Sequence, residues 1–264
     1  MTPREKTIAV ISGKGGAGKS TTTLHLGGEL LARGLRVLIV DLDPQASLSR
    51  VLCGQSDPGG VDGGIGSCLV RPELVAQDHI MPTDCGLDLI PGDRSIEAAD
   101  RNLHGPRGYR RLRDVLAPIV GYDAILIDTP PTLGFTLESS LRAAGWVIVP
   151  TQSTQQDFDA LMDTLALLDA LQEDGVVCAR RLAILPNAVH RDSVDSTGVR
   201  LLRDSFGDLV ADPIPYTVAI KQAWNQRRPL GQVKRGGAAW AAYGRLADRV
   251  TAVLAGEEVS GVGT

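Results

Sequence analysis

The chain has 264 residues, 43% of them hydrophobic but only 4% aromatic, with a formal net charge of −4 at pH 7. That length suits one large α/β domain better than two small ones, and the aliphatic bias suits buried parallel strands packed by helices. The acidic balance excludes a generally basic nucleic-acid-binding chain, so any DNA contact must come from a local patch.

In chain order, Thr7 to Ser12 (TIAVIS) is a β-branched apolar run that reads as a buried strand. Gly13-Lys14-Gly15-Gly16-Ala17-Gly18-Lys19-Ser20 follows, and Ser20 to Arg33 reads as a helix. Leu24, Leu31 and Leu35 sit at helical spacing, and Gly34 is the expected stop. Strand, glycine loop and helix in that order form the context of a phosphate-binding loop. Its glycines let backbone N–H groups approach a polyphosphate, and the helix N-terminus adds the positive end of its dipole. Lys19 supplies a charge for the β- and γ-phosphates, Ser20 a hydroxyl for Mg²⁺, and Thr21 the next side chain of the same cradle. Lys14 is a second cation in that loop. It would repel Lys19 without a polyphosphate between them, so it is expected either to point to solvent or to reach a phosphate.

Val37 to Val40 is the next strand and delivers Asp41-Leu42-Asp43-Pro44-Gln45-Ala46-Ser47 at its C-terminal end, the edge where α/β sheets bind ligands. Pro44 keeps a helix from forming through the acids. Gly54 to Gly66 is expected to be a mobile surface loop. Leu87 to Pro91 reads as a short strand, and Arg94 to Leu103 and Arg107 to Ile119 as helices. The second carries Arg107, Arg110, Arg111 and Arg113, most simply a solvated face, with DNA contact as the alternative.

Ala124 to Asp128 (AILID) is four apolar residues and then an acid, the Walker B pattern, whose carboxylate can hold Mg²⁺ directly or through water. Trp146 to Pro150 is a further strand. The helix expected from Asp157 to Glu173 has Leu161, Leu165, Leu168 and Leu171 on one face, for core or subunit packing. Leu182 to Pro186 then delivers Asn187, whose amide suits either a purine edge or a turn. Ala238 to Leu254 closes the chain as a helix. The alternation predicts one doubly wound, mostly parallel sheet flanked by helices, a single domain over 1–264 with 255–264 as a frayed tail.

Lys14-Gly15-Gly16-Ala17-Gly18-Lys19-Ser20 resembles the deviant Walker A box of the ParA/MinD family of P-loop ATPases, and the chain is most similar to its Soj-like DNA-partition ParA members. Asp41-Leu42-Asp43-Pro44-Gln45 is similar to the family's switch I, and Asp128-Thr129-Pro130-Pro131-Thr132-Leu133-Gly134 to its switch II. Pro150-Thr151-Gln152 fits P-x-[QE]. Ile214-Pro215 with Ala223 fits a segment that lies beside the base. The resemblance spans nearly the whole chain and implies a weak Mg²⁺-dependent ATPase acting as a timer. Two ATP-loaded subunits would pack face to face in an isologous dimer, each Lys14 crossing to the partner's nucleotide. It implies catalytic roles for Lys14, Lys19 and Asp43, with Asp43 positioning the attacking water. Mg²⁺ would fall to Ser20, Asp41 and Asp128, with Asp41 as support for the metal's shell, and the base to Asn187 and Pro215.

Three departures accompany the resemblance. The usual glycine early in the 157–173 helix is missing. Ala219 stands where members often carry an arginine, and Lys221 where they are acidic or neutral, which puts DNA binding in doubt. Arg191 matches another basic position tied to DNA. Lys221, Arg227, Arg228, Lys234 and Arg235 are either a substitute patch or ordinary solvated surface.

The resemblance implies partition of chromosome or plasmid DNA: an ATP-dependent homodimer holding non-specific double-stranded DNA, and a ParB-type partner stimulating hydrolysis. The expected location is cytoplasmic and nucleoid-associated. Four scattered cysteines, Cys53, Cys68, Cys85 and Cys178, fit reduced thiols. Residues 1–7 show no signal-peptide pattern, and no apolar run is long enough to span a bilayer. The acidic tail Glu257 to Thr264 disfavours membrane-bound MinD-type behaviour. No cysteine falls within 129–140, which argues against the iron–sulfur relatives. With a first strand beginning at residue 7, the helix-turn-helix domain that some plasmid members carry is not expected. The alternatives are a positioning ATPase for a protein cargo, such as a microcompartment or chemoreceptor cluster, and a non-partition P-loop enzyme.

Overall fold

A computed structural model describes residues 2–54, 63–132, 134–176, 178–190 and 193–261. The first half runs β1 (Thr7–Val10), α1 (Lys19–Ala32), β2 (Val37–Asp41), α2 (Ser47–Cys53), α3 (Ile65–Val70), β3 (Met81–Pro82) and β4 (Asp88–Ile90). Next come α4 (Ser95–Asn102), α5 (Gly105–Leu116), β5 (Ala124–Asp128), α6 (Phe135–Ala143), β6 (Trp146–Thr151) and α7 (Gln155–Glu173). The chain continues with β7 (Arg180–Pro186), α8 (Ser193–Phe206), α9 (Val218–Asn225), α10 (Leu230–Val233) and α11 (Ala238–Leu254). Among the described residues no helix is long and apolar enough to cross a membrane.

The strands form one seven-stranded sheet in the order β3-β4-β2-β5-β1-β6-β7. All neighbours are parallel except β3, which pairs antiparallel with β4. Strand residues alternate between two cores, as a pleat covered on both faces requires. Ala9, Leu38, Val40, Ile125, Ile127, Val147 and Val149 face one core, beneath Leu161, Leu165 and Leu168 of α7. Ile8, Val37, Ile39, Leu126 and Ile148 face the other, beneath Leu24, Leu26 and Leu30 of α1 and Tyr243, Leu246 and Val250 of α11. The leucine stripe of α7 is therefore core. Both sheet margins are blunted: β3 is two residues long and includes Pro82, while Val210 bridges Ile184 of β7 and the Ala211 N–H bonds the Ile184 carbonyl.

The structure adjusts several sequence expectations. Leu35 lies beyond the end of α1, because Gly34 at φ +83° lets the Leu35 N–H return to the Leu30 carbonyl. The loop expected over 54–66 gives way to α3 from Ile65, while 55–62 lie outside the described residues. Arg111 is no part of a solvated face. Its guanidinium donates to the Leu69 and Cys68 carbonyls at 2.9 and 2.8 Å, covering the C-terminal end of α3. The tail is not frayed through Gly261: Arg249 donates to the Ser260 carbonyl at 2.8 Å and Val259 packs on the core, while 262–264 lie outside the described residues.

His25 of α1 is buried. Its Nδ1 accepts from the Leu230 N–H at 3.1 Å, and its ring meets Tyr243 edge-on at 5.2 Å. Burial pushes its pKa down to about 3. Above pH 6.5 the ring is neutral folded or unfolded and adds nothing. As the pH falls below that value, the unfolded chain takes a proton the folded one refuses. His25 should therefore cost up to about 1.4 kcal/mol of stability per pH unit on acidification. Thermal melts at pH 7.5, 6.5 and 5.5 should show the wild type losing stability faster than His25→Asn. Parallel slopes would remove His25 from the acid response.

Candidate functional site

The register of the central strands assembles the site. Val10 pairs with Asp128 and Asp41 pairs with Asp128, so β1, β2 and β5 end side by side. The loop from Gly13 arches over these ends and enters α1. Gly16 and Gly18 adopt φ +80° and +95°, a left-handed backbone that glycine occupies at least cost. Gly18 has a second reason to be glycine: a Cβ there would lie 1.8 Å from Asn187 Nδ2.

Two neighbours hold the loop from the side. Asn187, buried at the end of β7, donates its amide to the Ala17 carbonyl at 2.9 Å. Gln152, just past β6, donates to the Gly16 carbonyl at 3.0 Å. Asn187 thus uses its amide N–H on the loop backbone, leaving its Oδ1 as the acceptor on that side chain.

The two loop lysines have different surroundings. Lys19 is buried, and its ammonium donates to the Lys14 carbonyl at 3.1 Å. Burial lowers its pKa, against the pull of the Asp128 and Asp43 carboxylates. The Lys14 side chain, expected to point to solvent or to reach a phosphate, is 30% exposed and ion-paired within its own chain. Its ammonium sits 2.9 Å from Asp157 Oδ1 and 3.3 Å from Thr154 Oγ1, with the Asp157 side chain only 2% exposed. Thr154 and Asp157 form the capping box of α7: the Asp157 N–H donates to Thr154 Oγ1, and the Thr154 N–H to Asp157 Oδ2.

The three acids differ as well. Asp41 is fully buried and accepts from the Ser49 N–H at 2.8 Å, the Ser49 hydroxyl at 2.6 Å and the Asp43 N–H at 3.1 Å. Burial, partly offset by these bonds, pushes its pKa up to about 6. Asp128 is equally buried, yet neither carboxylate oxygen has a well-formed hydrogen bond. Burial first, then the Asp41 carboxylate, raises its pKa well above the ordinary range, while the Ser20 hydroxyl and Lys19 pull the other way. Asp43 is half-buried. Its Oδ1 accepts from the Gln45 N–H at 2.8 Å, which fixes the side chain over the groove.

An orphaned, buried carboxylate beside a lysine and a serine hydroxyl fits a hard cation. Among the described residues no three His, Cys, Asp or Glu side chains cluster to hold a metal. Mg²⁺ commonly takes only one or two carboxylates and fills its shell with phosphates and water. The donor set therefore suits Mg²⁺ bound together with a polyphosphate.

Two adjoining spaces surround these groups. A groove of about 300 Å³ runs along Gly15, Lys19, Ser20, Asp43, Thr129 and Pro131. A cavity of about 390 Å³ opens beside it, walled by Gln152, Asn187, Pro215, Tyr216, Lys221 and Trp224. Both fall within the range of small-molecule pockets.

The basic residues read as either a substitute patch or solvated surface lie on or between α9, α10 and α11. Lys221 lines the 390 Å³ cavity, Lys234 a separate one with His190 and Gly236, and Arg235 a cleft between α1 and α11. The Arg227 guanidinium packs against Gly54, and Arg228 contacts Gln232 at 3.5 Å. Arg191 and Leu133 lie outside the described residues. Sequence reading missed Ser49, Asp157, Tyr216 and Trp224. Of these, only Asp157 had a local signal, the T-x-x-D spacing of a capping box.

Residues 5–182 match the AAA_31 family, described as an AAA domain. The chain is 32% identical to the chromosome partitioning protein ParA of Caulobacter vibrioides, over 85% of this chain and 86% of that protein. It is 33% identical to the maintenance of carboxysome distribution protein A of Synechococcus elongatus, over 68% and 71%. Its fold is similar to that of cobyrinic acid a,c-diamide synthase from Mycobacterium smegmatis, crystallised with an ATP analog and magnesium. That likeness has a TM-score of 0.79 and 26% identity, over 96% of this chain and 95% of that one.

Proposed function

The chain belongs to the ParA/MinD family of P-loop ATPases, and from that membership we propose that it is an ATP-driven partition switch for DNA. Two ATP-loaded copies pack face to face and hold non-specific double-stranded DNA. Hydrolysis, stimulated by a ParB-type partner, separates them, and the protein works on the nucleoid in the cytoplasm. The observation that carries the nucleotide half is the orphaned Asp128 carboxylate beside Lys19 and Ser20, at the mouth of a glycine loop.

In this reading Ser20 and Asp128 hold Mg²⁺, and Asp41 keeps its hydrogen bonds to Ser49 and Asp43, supporting the metal's surroundings from behind. When bound, Mg²⁺ neutralises charge developing between the β- and γ-phosphoryl oxygens. Lys19 adds a desolvated positive charge on the same phosphates, and the Gly13–Thr21 segment supplies N–H donors. Asp43 orients the attacking water. Its contribution is placement of that water rather than proton removal, because phosphoryl transfer passes through a loose transition state that depends mostly on positioning and charge.

The DNA half is supported by the partitioning relative, and a protein-positioning role by the carboxysome-distribution relative. DNA-binding titrations with ATP, with ADP and without nucleotide test the DNA track common to both readings, and stimulation of hydrolysis by a ParB-type partner separates the two. Binding that requires ATP and falls steeply with salt is the expected result. Removing one phosphate-contacting lysine or arginine should lower the salt slope by about one. No binding at low salt would overturn the DNA reading in favour of a non-partition enzyme. A protein cargo carried along the nucleoid would keep the DNA binding but need no ParB-type partner.

A further inference from the structure

Trp224 sits near the C-terminal end of α9, partly buried against the core beneath α1 and α11. It lines both the groove over the phosphate loop and the cavity beside Asn187 and Pro215. Gly16, Gly18 and Thr21 also line both, but they belong to the loop and the first turn of α1. Among the described residues, Trp224 is thus the side chain from elsewhere in the chain that the two spaces share. Lys221, one turn earlier on α9, lines the cavity alone.

This juxtaposition matters if the site takes a nucleotide, the reading on which the inference rests. With phosphates in the groove and a base in the cavity, the connecting sugar must pass the wall common to both. Two of the four residues there have no side chain and the third is a short threonine. The indole is the largest side chain of the four. An aromatic face suits the C–H groups of a sugar, and the rim of an indole adds a single N–H donor. Among the described residues that N–H has no hydrogen-bond acceptor. We propose that Trp224 holds the ribose of the bound nucleotide, so that affinity depends on the nucleoside as well as on the phosphates.

The test compares ATP with inorganic tripolyphosphate, both with Mg²⁺, on the full chain by titration calorimetry. Trp224→Ala should weaken ATP about tenfold, within the span of alanine substitutions at aromatic stacking sites. Trp224→Phe should keep most of that affinity, and tripolyphosphate should bind wild type and both variants alike. Unchanged tripolyphosphate binding also shows that the loop is still folded in the variants. In the wild type, ATP but not tripolyphosphate should perturb the tryptophan emission, and Trp224→Phe should abolish that change. Equal ATP affinity in the wild type and Trp224→Ala would overturn the proposal, as would a parallel loss for both ligands. A wild type that binds neither ligand would instead overturn the nucleotide-site reading, and this proposal with it.

Discussion

Lys14→Ala is expected to abolish ATP-driven pairing of two copies while leaving nucleotide binding largely intact. The split follows from where the two parts of Lys14 lie. Its backbone carbonyl accepts from Lys19 and survives the substitution, so the home cradle keeps its hydrogen bond. Its side chain touches Asp157 and Thr154 rather than the groove, and becomes available to a second copy only by leaving them. Removing the ammonium strips Asp157 of its counter-ion, but the Thr154 N–H still donates to that carboxylate. The stability loss should therefore fall between the ~1 kcal/mol of an exposed pair and the roughly 3 kcal/mol of a buried one. Asp157→Asn is the informative complement. It retains an oxygen to cap α7 but releases the lysine, so pairing should set in at about tenfold less ATP, equivalent to ~1.4 kcal/mol. Light scattering during ATP titration reads both variants. An ATP-dependent dimer of Lys14→Ala would sink the face-to-face arrangement, and an unshifted midpoint for Asp157→Asn would mean the ion pair does not restrain the lysine.

Asp43→Asn should bind ATP within a few-fold of wild type yet hydrolyse it about 100-fold more slowly, the loss that misplacing a reacting group brings. The asparagine keeps the Oδ1 that accepts from the Gln45 N–H and the backbone N–H that donates to Asp41, so the turn should persist. What disappears is the charge over the groove. Single-turnover phosphate release, alongside calorimetric ATP binding, separates the two effects. Turnover at the wild-type rate would remove Asp43 from the chemistry.

The parts of this molecule that were legible in its sequence are those whose signal is local. β1, β2, β5 and β6 announce themselves as unbroken aliphatic runs because parallel strands are covered on both faces. The phosphate loop is legible because backbone geometry dictates glycine at fixed spacing, as the left-handed Gly16 and Gly18 illustrate. What escaped is non-local. Lys14 and Thr154 are 140 residues apart, and Arg111 finds the Leu69 carbonyl across 42. An arginine on a polar helix face looks the same in sequence whether it meets water or the end of another helix. Trp224 gave no spacing signal either, since the two spaces it lines are walled mostly by residues distant from it in sequence. The division of Lys221, Lys234 and Arg235 among three concavities was likewise invisible to a count of basic residues.

The blunted rims of the sheet carry a consequence for assembly. Pro82 withholds a donor on one flank, and the Val210–Ala211 segment occupies the Ile184 backbone on the other, so at these described positions a visiting chain finds a poor ladder to extend. Growth into a continuous cross-molecule β-ribbon is disfavoured where Pro82 and the Ile184 bridge stand. Copies that associate must meet through side chains and loop tips, whose contacts a bound ligand can make or release far more readily than a zipped backbone.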